Sequence, residues 1–436
     1  MKEKAIKLVH LPRLREVRSI SAARKVGTYE EICAWLRLIR KNPPEILEGL
    51  EKLFDEDGEL EKFFEDIDER DPTGKLVHPM KQGIWENLRD FLVQRTTKLY
   101  SNELAKLDEI VDQLYKNSPV VKTLSEEAFC FIGPTKHFFY TLPSEYGRPL
   151  HLIAIPHGSI RNVWNWLVIP HEVGHDIFID IPQFSSEIEH IVTKTLEPFT
   201  LNLGLVRVPR WDPNSGQVTW EIVTGSQLLR EIWIEWVFEL FPDLFATLLC
   251  GPAFVMQLQE ILRFDPICSW TMYPTEGYYG APDPHPVGHI RSLMLTGVLR
   301  GLGFAQYADA LDERLVRTAR IPAAVVWFYK ASESEQPVML FEVTFDELLK
   351  SGLFVTQTLL NTPFDSLEQK KLVDLWNFSQ KDQRIVEAMA DKILEKKNTR
   401  AGEEKDVRYL LAATRIAYER DPTRAQDIYK YWGLEP

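Results

Sequence analysis

The chain has 436 residues, 44% of them hydrophobic and 26% charged, the make-up of a water-soluble protein long enough for one large core or two to three domains. Its formal charge of −13 argues against nucleic acid or anionic lipid as a general partner, since both are polyanions. Four cysteines, Cys33, Cys130, Cys250 and Cys268, lie far apart with no Cys-x-x-Cys spacing, so neither a disulfide framework nor a thiolate zinc site is expected.

At the N-terminus, Met1-Lys2-Glu3-Lys4-Ala5-Ile6-Lys7 has basic residues but no apolar stretch behind them, unlike a signal peptide. The longest apolar run, Leu244 to Met256, has 13 residues and contains Gly251-Pro252. A bilayer span needs about 20, so this run reads as core and the expected location is cytoplasmic, without a membrane span.

Residues 1–145 read as a helical region, with apolar residues at three-and-four spacing in Glu30–Arg40 and Trp85–Lys116. Between them, Glu51–Asp71 holds 11 acids and 3 bases. Its Asp55-Glu56-Asp57-Gly58 is no calcium loop, because the sixth and twelfth positions are Leu60 and Asp66 in place of Gly and Glu; a solvated acidic face fits better. Leu150–Pro156 is an apolar run of strand length, a candidate to lie beside the helix that follows; His151 and His157 read as structural or surface residues.

Residues 146–320 carry the chemistry. In Leu167–Phe178 the sequence His171-Glu172-Val173-Gly174-His175 places two histidines four apart on one helix face. Two imidazoles at that spacing can take two corners of a zinc tetrahedron, with Glu172 beside them to accept a proton from water. Pro170 either opens this helix or kinks it. A helix over Ser185–Leu196 follows, capped by Ser185 or Ser186, and then a hairpin with strands at Leu205–Val208 and Gln217–Val223.

A long helix from about Ser226 embeds Glu235, Glu239 and Asp243 in an apolar stretch, four apart and on one face. Buried acids in a row repel one another, and a divalent cation relieves them most simply; ion pairs with Arg230 or Arg263 are the structural alternative. Farther on comes Asp283-Pro284-His285-Pro286-Val287-Gly288-His289-Ile290-Arg291.

His-Glu-x-x-His followed by Glu-x-x-x-Asp resembles the gluzincin zinc metallopeptidases, and His285-Pro286 with Arg291 resembles their prenyl-protease and heat-shock-protease branch. The resemblance covers residues 160–300. It implies a zincin-like core, mainly α with a small β element, flanked by helical regions. It implies Zn²⁺ as cofactor, held by His171, His175 and Glu239, with Asp243 orienting a ligand histidine. It also implies a peptide or protein substrate and Glu172 as general base. His285 or His289 would donate a hydrogen bond to the oxyanion, with Tyr278 and Tyr279 as rival donors, and Arg291 would brace Asp243 or Glu239. Glu235 competes with Glu239 as third ligand, although Glu235-x-x-x-Glu239 fits the pattern less well.

Two features depart from that branch: its members are commonly membrane-embedded, and Pro242 stands where a small helix former is usual. A metzincin would need a histidine at Ile181. A zinc-stabilised binding module without catalysis and a metallohydrolase of a non-peptide amide are the competing readings.

Residues 321–436 read as a third region, helical over Phe345–Leu360, Leu367–Lys396 and Asp406–Glu419, after a last helix of the core at Ala305–Arg320. Ile321–Tyr329 is a strand or a buried helical turn, and Lys396–Lys405 a polar linker.

Overall fold

The computed structural model describes residues 94–95, 100–117, 129–133, 140–142, 152–212, 217–262, 270–273, 285–329, 336, 338–395 and 406–434. The expected helix at Glu30–Arg40, the acidic stretch Glu51–Asp71, Tyr278, Tyr279 and the linker Lys396–Lys405 lie outside them. The described residues are mainly helical with small sheets, in two units. One runs to Asp112 and includes Glu126–Arg161; the other takes Gln113–Ser125 and Asn162–Pro436.

In the first unit, helix α1 (Ser101–Asn117, whose last turn belongs to the second unit) is followed by a three-stranded sheet of β1 (Phe129–Gly133), β2 (Tyr140–Leu142) and β3 (Leu152–Pro156), in the order β1-β3-β2. The run expected at Leu150–Pro156 is thus the central strand, parallel to β1 and antiparallel to β2. The buried pair Arg95–Asp108 joins helix to sheet: Arg95 Nη2 donates to Cys130 O at 2.7 Å, and Asp108 Oδ1 accepts from Cys130 N at 2.8 Å. The two charged side chains thus compensate each other and the Cys130 backbone groups, without which their burial would cost several kcal/mol.

In the second unit a six-residue 3₁₀ segment, Val163–Val168, leads into helix α2 (Ile169–Asp180), which carries the His-Glu-x-x-His motif. Pro170 sits in the first turn, where its missing N–H has no partner to lose. Helix α3 (Phe184–Thr195) begins after Gln183, a left-handed residue with φ 68°, and not after Ser185 or Ser186 as the cap preference suggested. The hairpin of β4 (Val206–Asp212) and β5 (Gln217–Val223) forms as expected, in register from Val206–Val223 to Asp212–Gln217.

Helix α4 (Gly225–Cys250) is the axis of this unit. Thr224 and Gln227 start it with a reciprocal capping box, and Gly251, at φ 61°, ends it. It contacts α2, α3, α5 (Pro252–Leu262), α6 (Gly288–Gly301) and α11 (Val407–Arg420). From Glu239 to Cys250 it is buried on every side, as a helix apolar all round must be. The apolar run Leu244–Met256 is thus the end of α4 and the start of α5, split at Gly251.

A second three-stranded sheet is made of β6 (Trp270–Tyr273), β7 (Ala324–Tyr329) and β8 (Val338–Thr344), so the stretch Ile321–Tyr329 is strand from Ala324 onward. The remaining helices are α7 (Ala305–Thr318), α8 (Phe345–Asn361), α9 (Leu372–Leu375), α10 (Gln380–Leu394) and α12 (Ala425–Tyr431). The single helix expected over Leu367–Lys396 is broken. Glu368 and Gln369 take positive φ, and Ser379 starts α10 with its own capping box. Helix α11 packs on the 3₁₀ segment before α2 and on α5, so the chain beyond residue 320 supports the motif region directly. Cys130 and Cys250 are buried; Cys33 and Cys268 lie outside the described residues. Among the described residues no helix is long and apolar enough to cross a membrane.

Candidate metal centre

Helices α2 and α4 run antiparallel past each other. His171 meets Asp243 near one end of the contact, and Phe178 meets Phe238 and Phe241 toward the other. They approach closely because α2 has glycine at the crossing: a Cβ built on Gly174 would lie 2.7 Å from the Pro242 Cα. This approach brings the side chains of His171, His175 and Glu239, all nearly buried, to a common point.

The His171 and His175 Nε2 atoms are 3.1 Å apart, His171 Nε2 is 3.3 Å from Glu239 Oε2, and His175 Nε2 is 3.4 Å from Glu239 Oε1. A tetrahedral ion with bonds of about 2.0–2.1 Å spaces its ligands about 3.3–3.4 Å apart. The three separations are close to the edges of one face of such a tetrahedron. These residues form the group of ligand-type side chains able to hold a metal ion among the described residues. Glu235 is one turn away and outside the group, so the geometry brings Glu239, and not Glu235, to the two histidines.

Behind the ligands lies a second layer of charge. His171 Nδ1 faces Asp243 Oδ1 at 2.9 Å, so its proton belongs on Nδ1 and its Nε2 lone pair is directed at the common point. Arg291, carried in by the first turn of α6, donates through Nε to Asp243 Oδ2 and through Nη2 to Oδ1, both at 2.8 Å. Its Nη2 also reaches Glu239 Oε2 at 3.2 Å, so Arg291 braces both acids, not one of them. Among the described residues no hydrogen-bond partner reaches His175 Nδ1; the Phe238 ring packs against that imidazole instead, with centroids 4.7 Å apart.

The electrostatics fit a cation site. Burial works against a charged His171, yet the carboxylates of Asp243 and Glu239 outweigh it and raise its pKa to about 10. Burial would also raise Glu239, but the charges of His175 and Arg291 and the contacts with both histidines hold it well below the usual carboxylate range. Asp243 is lowered too, against its burial, chiefly by Arg291 and His171. Without a metal, the cluster keeps a proton on His171. A divalent cation taking the place of that proton would bring one more positive charge to the two acids.

Glu172 is buried in the first turn of α2, beside the first ligand in the chain. His285 is mostly exposed and its Nε2 is 3.5 Å from Glu239 Oε1, at the open side of the cluster. His289 is buried within the first turn of α6. That helix starts at Gly288, two residues after Pro286. Glu235 is half-buried, with its pKa raised by burial and by Glu189 and Glu231.

Two relationships escaped the sequence reading. Tyr115, in the last turn of α1, donates its hydroxyl to the buried carboxylate of Asp176, next to the ligand His175. Gly174 fits against Pro242. An acid inside the apolar run His175–Phe178 was the available signal for the first; nothing in the sequence pairs the second.

Compared with family models, curated proteins and solved structures, the chain matches none.

Proposed function

We propose that the protein is a zinc-dependent peptidase whose metal is held by His171, His175 and Glu239. One observation carries the reading: three ligand atoms stand at tetrahedral-edge spacing, with Asp243 behind His171 and the acid Glu172 adjacent in the chain. Two imidazoles and one carboxylate favour Zn²⁺ over harder cations, and three protein ligands are the number found in catalytic zinc sites. When bound, the ion acts as a Lewis acid that lowers the pKa of water from 15.7 toward about 7 and polarises a carbonyl.

The chain's own groups do the rest. Asp243 and Arg291 keep His171 in one tautomer and orientation. Glu172 takes the proton from the attacking water and delivers it to the departing amine nitrogen. His285, exposed beside Glu239, donates a hydrogen bond to the oxyanion of the tetrahedral intermediate; buried His289 supports the helix that brings Arg291.

The test is direct. The purified protein should contain one zinc per chain and cleave casein or a peptide library, and Glu172→Gln should keep the zinc while losing cleavage. Undiminished cleavage by Glu172→Gln sinks the mechanism. Zinc with hydrolysis of non-peptide amides alone would move the substrate class.

A further inference from the structure

From Leu228 to Cys250, solvent reaches α4 only at Arg230, Glu231, Ile234, Glu235 and Phe238. That stripe climbs the helix in steps of three and four and stops at Phe238, the residue before the ligand Glu239. Arg230 is turned back to Ser226 O at 3.1 Å, and Glu231 is held by Arg210 at 2.7 Å. Ile234 and Phe238, four apart, form an apolar row leading to the metal site. The Phe238 ring is half-buried against His175 and Phe178.

Helix α2 contributes the same chemistry from the other side. Ile179 lies one turn beyond His175 on the face of the two histidines, and it is 41% exposed. Because the helices are antiparallel, the turn after His175 runs alongside the turn before Glu239, where Ile234 and Glu235 stand. Large apolar side chains at least partly open on both helices, each within about one and a half turns of a ligand, mark a place where something apolar is covered during function.

We infer that Phe238, Ile234 and Ile179 form a specificity subsite for a large apolar side chain next to the scissile bond of a peptide substrate. The inference rests on the peptidase reading and adds its substrate class. Its occupant follows from continuity with the metal site: a carbonyl placed there carries its neighbouring side chain onto Phe238. Burying a leucine or phenylalanine side chain instead of leaving it in water amounts to roughly 10–200-fold in selectivity.

The test uses binding, so that it does not depend on turnover. Zinc-loaded Glu172→Gln protein is titrated with short peptide hydroxamates that differ only in the side chain beside the hydroxamate: leucine, phenylalanine, lysine or aspartate. The expected result is leucine and phenylalanine at least ~10-fold tighter than lysine and aspartate. That preference should fall several-fold in Phe238→Ala and in Ile179→Ser, with one zinc per chain retained; Ile179 is exposed, so its variant folds even if Phe238→Ala does not. An unchanged preference in both variants overturns the subsite. So does a lysine preference removed by Glu235→Gln, which would make the acidic row the determinant. If the apolar preference holds but wild type cleaves no peptide, the subsite stands and the peptidase reading falls; binding of none of the probes overturns both.

Discussion

A Cβ on Gly174 would sit 2.7 Å from the Cα and 3.0 Å from the Cβ of Pro242, so the motif helix and the ligand helix touch at a point that admits no side chain. The two residues that looked like irregularities, a glycine inside His-Glu-x-x-His and a proline inside a helix, meet each other. Gly174→Ala must push backbone against backbone, which a flexible side chain could not absorb. The expected cost is about 1–3 kcal/mol, seen as a lower melting temperature together with weaker metal retention, because the separation of the helices sets the spacing of the ligands. Gly204→Ala is the control: nothing lies within 4 Å of a Cβ there. Equal melting shifts for the two variants would refute the close-contact argument.

Asp243 holds His171 and is itself held by Arg291. Asp243→Asn keeps the shape but removes the charge and the fixed tautomer. Changes to groups that orient a metal-bound histidine typically cost 10–100-fold in affinity, and that is the loss expected in a competition titration with a chromophoric chelator. Arg291 would keep Glu239 as its partner at 3.2 Å, so the variant should still fold. An affinity unchanged within about twofold would remove Asp243 from the site.

The metal and a proton compete for His171. Its folded pKa of about 10 lies above the ordinary 6.5, so the metal-free protein holds the proton at neutral pH. The sign follows from linkage. This charge stabilises the metal-free fold fully below pH 6.5, and its contribution fades as the pH rises through about 10. Metal uptake needs the neutral imidazole, so between pH 7 and 9 binding should release about one proton from His171 and tighten about tenfold per pH unit. Calorimetry in buffers of different ionisation enthalpy measures the release. Binding without proton release would show that His171 is not a ligand.

The parts of the site that were legible in the sequence are those set by one helix alone. His171 and His175 share a face because they are four apart, and Glu239 and Asp243 do so for the same reason. Glu235 shares that face too, which is why sequence left two candidates; only the crossing with α2 puts Glu239, and not Glu235, opposite the histidines. The helix read from about Ser226 starts at Gly225, where Thr224 and Gln227 form a capping box. The start of α3 and the break at Glu368-Gln369 were not legible, since they depend on left-handed glutamine and glutamate residues that tertiary packing enforces against their preference. Arg291 was found through a resemblance, while its grip on two acids at once is a tertiary fact.

Tyr115 and Asp176 are 61 residues apart and joined by a hydrogen bond that is buried at both ends. Their link pins the end of α1 to the motif helix beside His175. Tyr115→Phe removes the donor but keeps the ring in the core, so Asp176 loses one partner for its buried carboxylate. A buried acceptor deprived of a donor costs about 1–3 kcal/mol. Chemical denaturation should therefore show a lower midpoint for Tyr115→Phe with an unchanged slope. Metal stoichiometry should stay at one per chain, since neither residue is within the ligand group. A variant as stable as the parent would mean that the bond between Tyr115 and Asp176 contributes nothing to the fold.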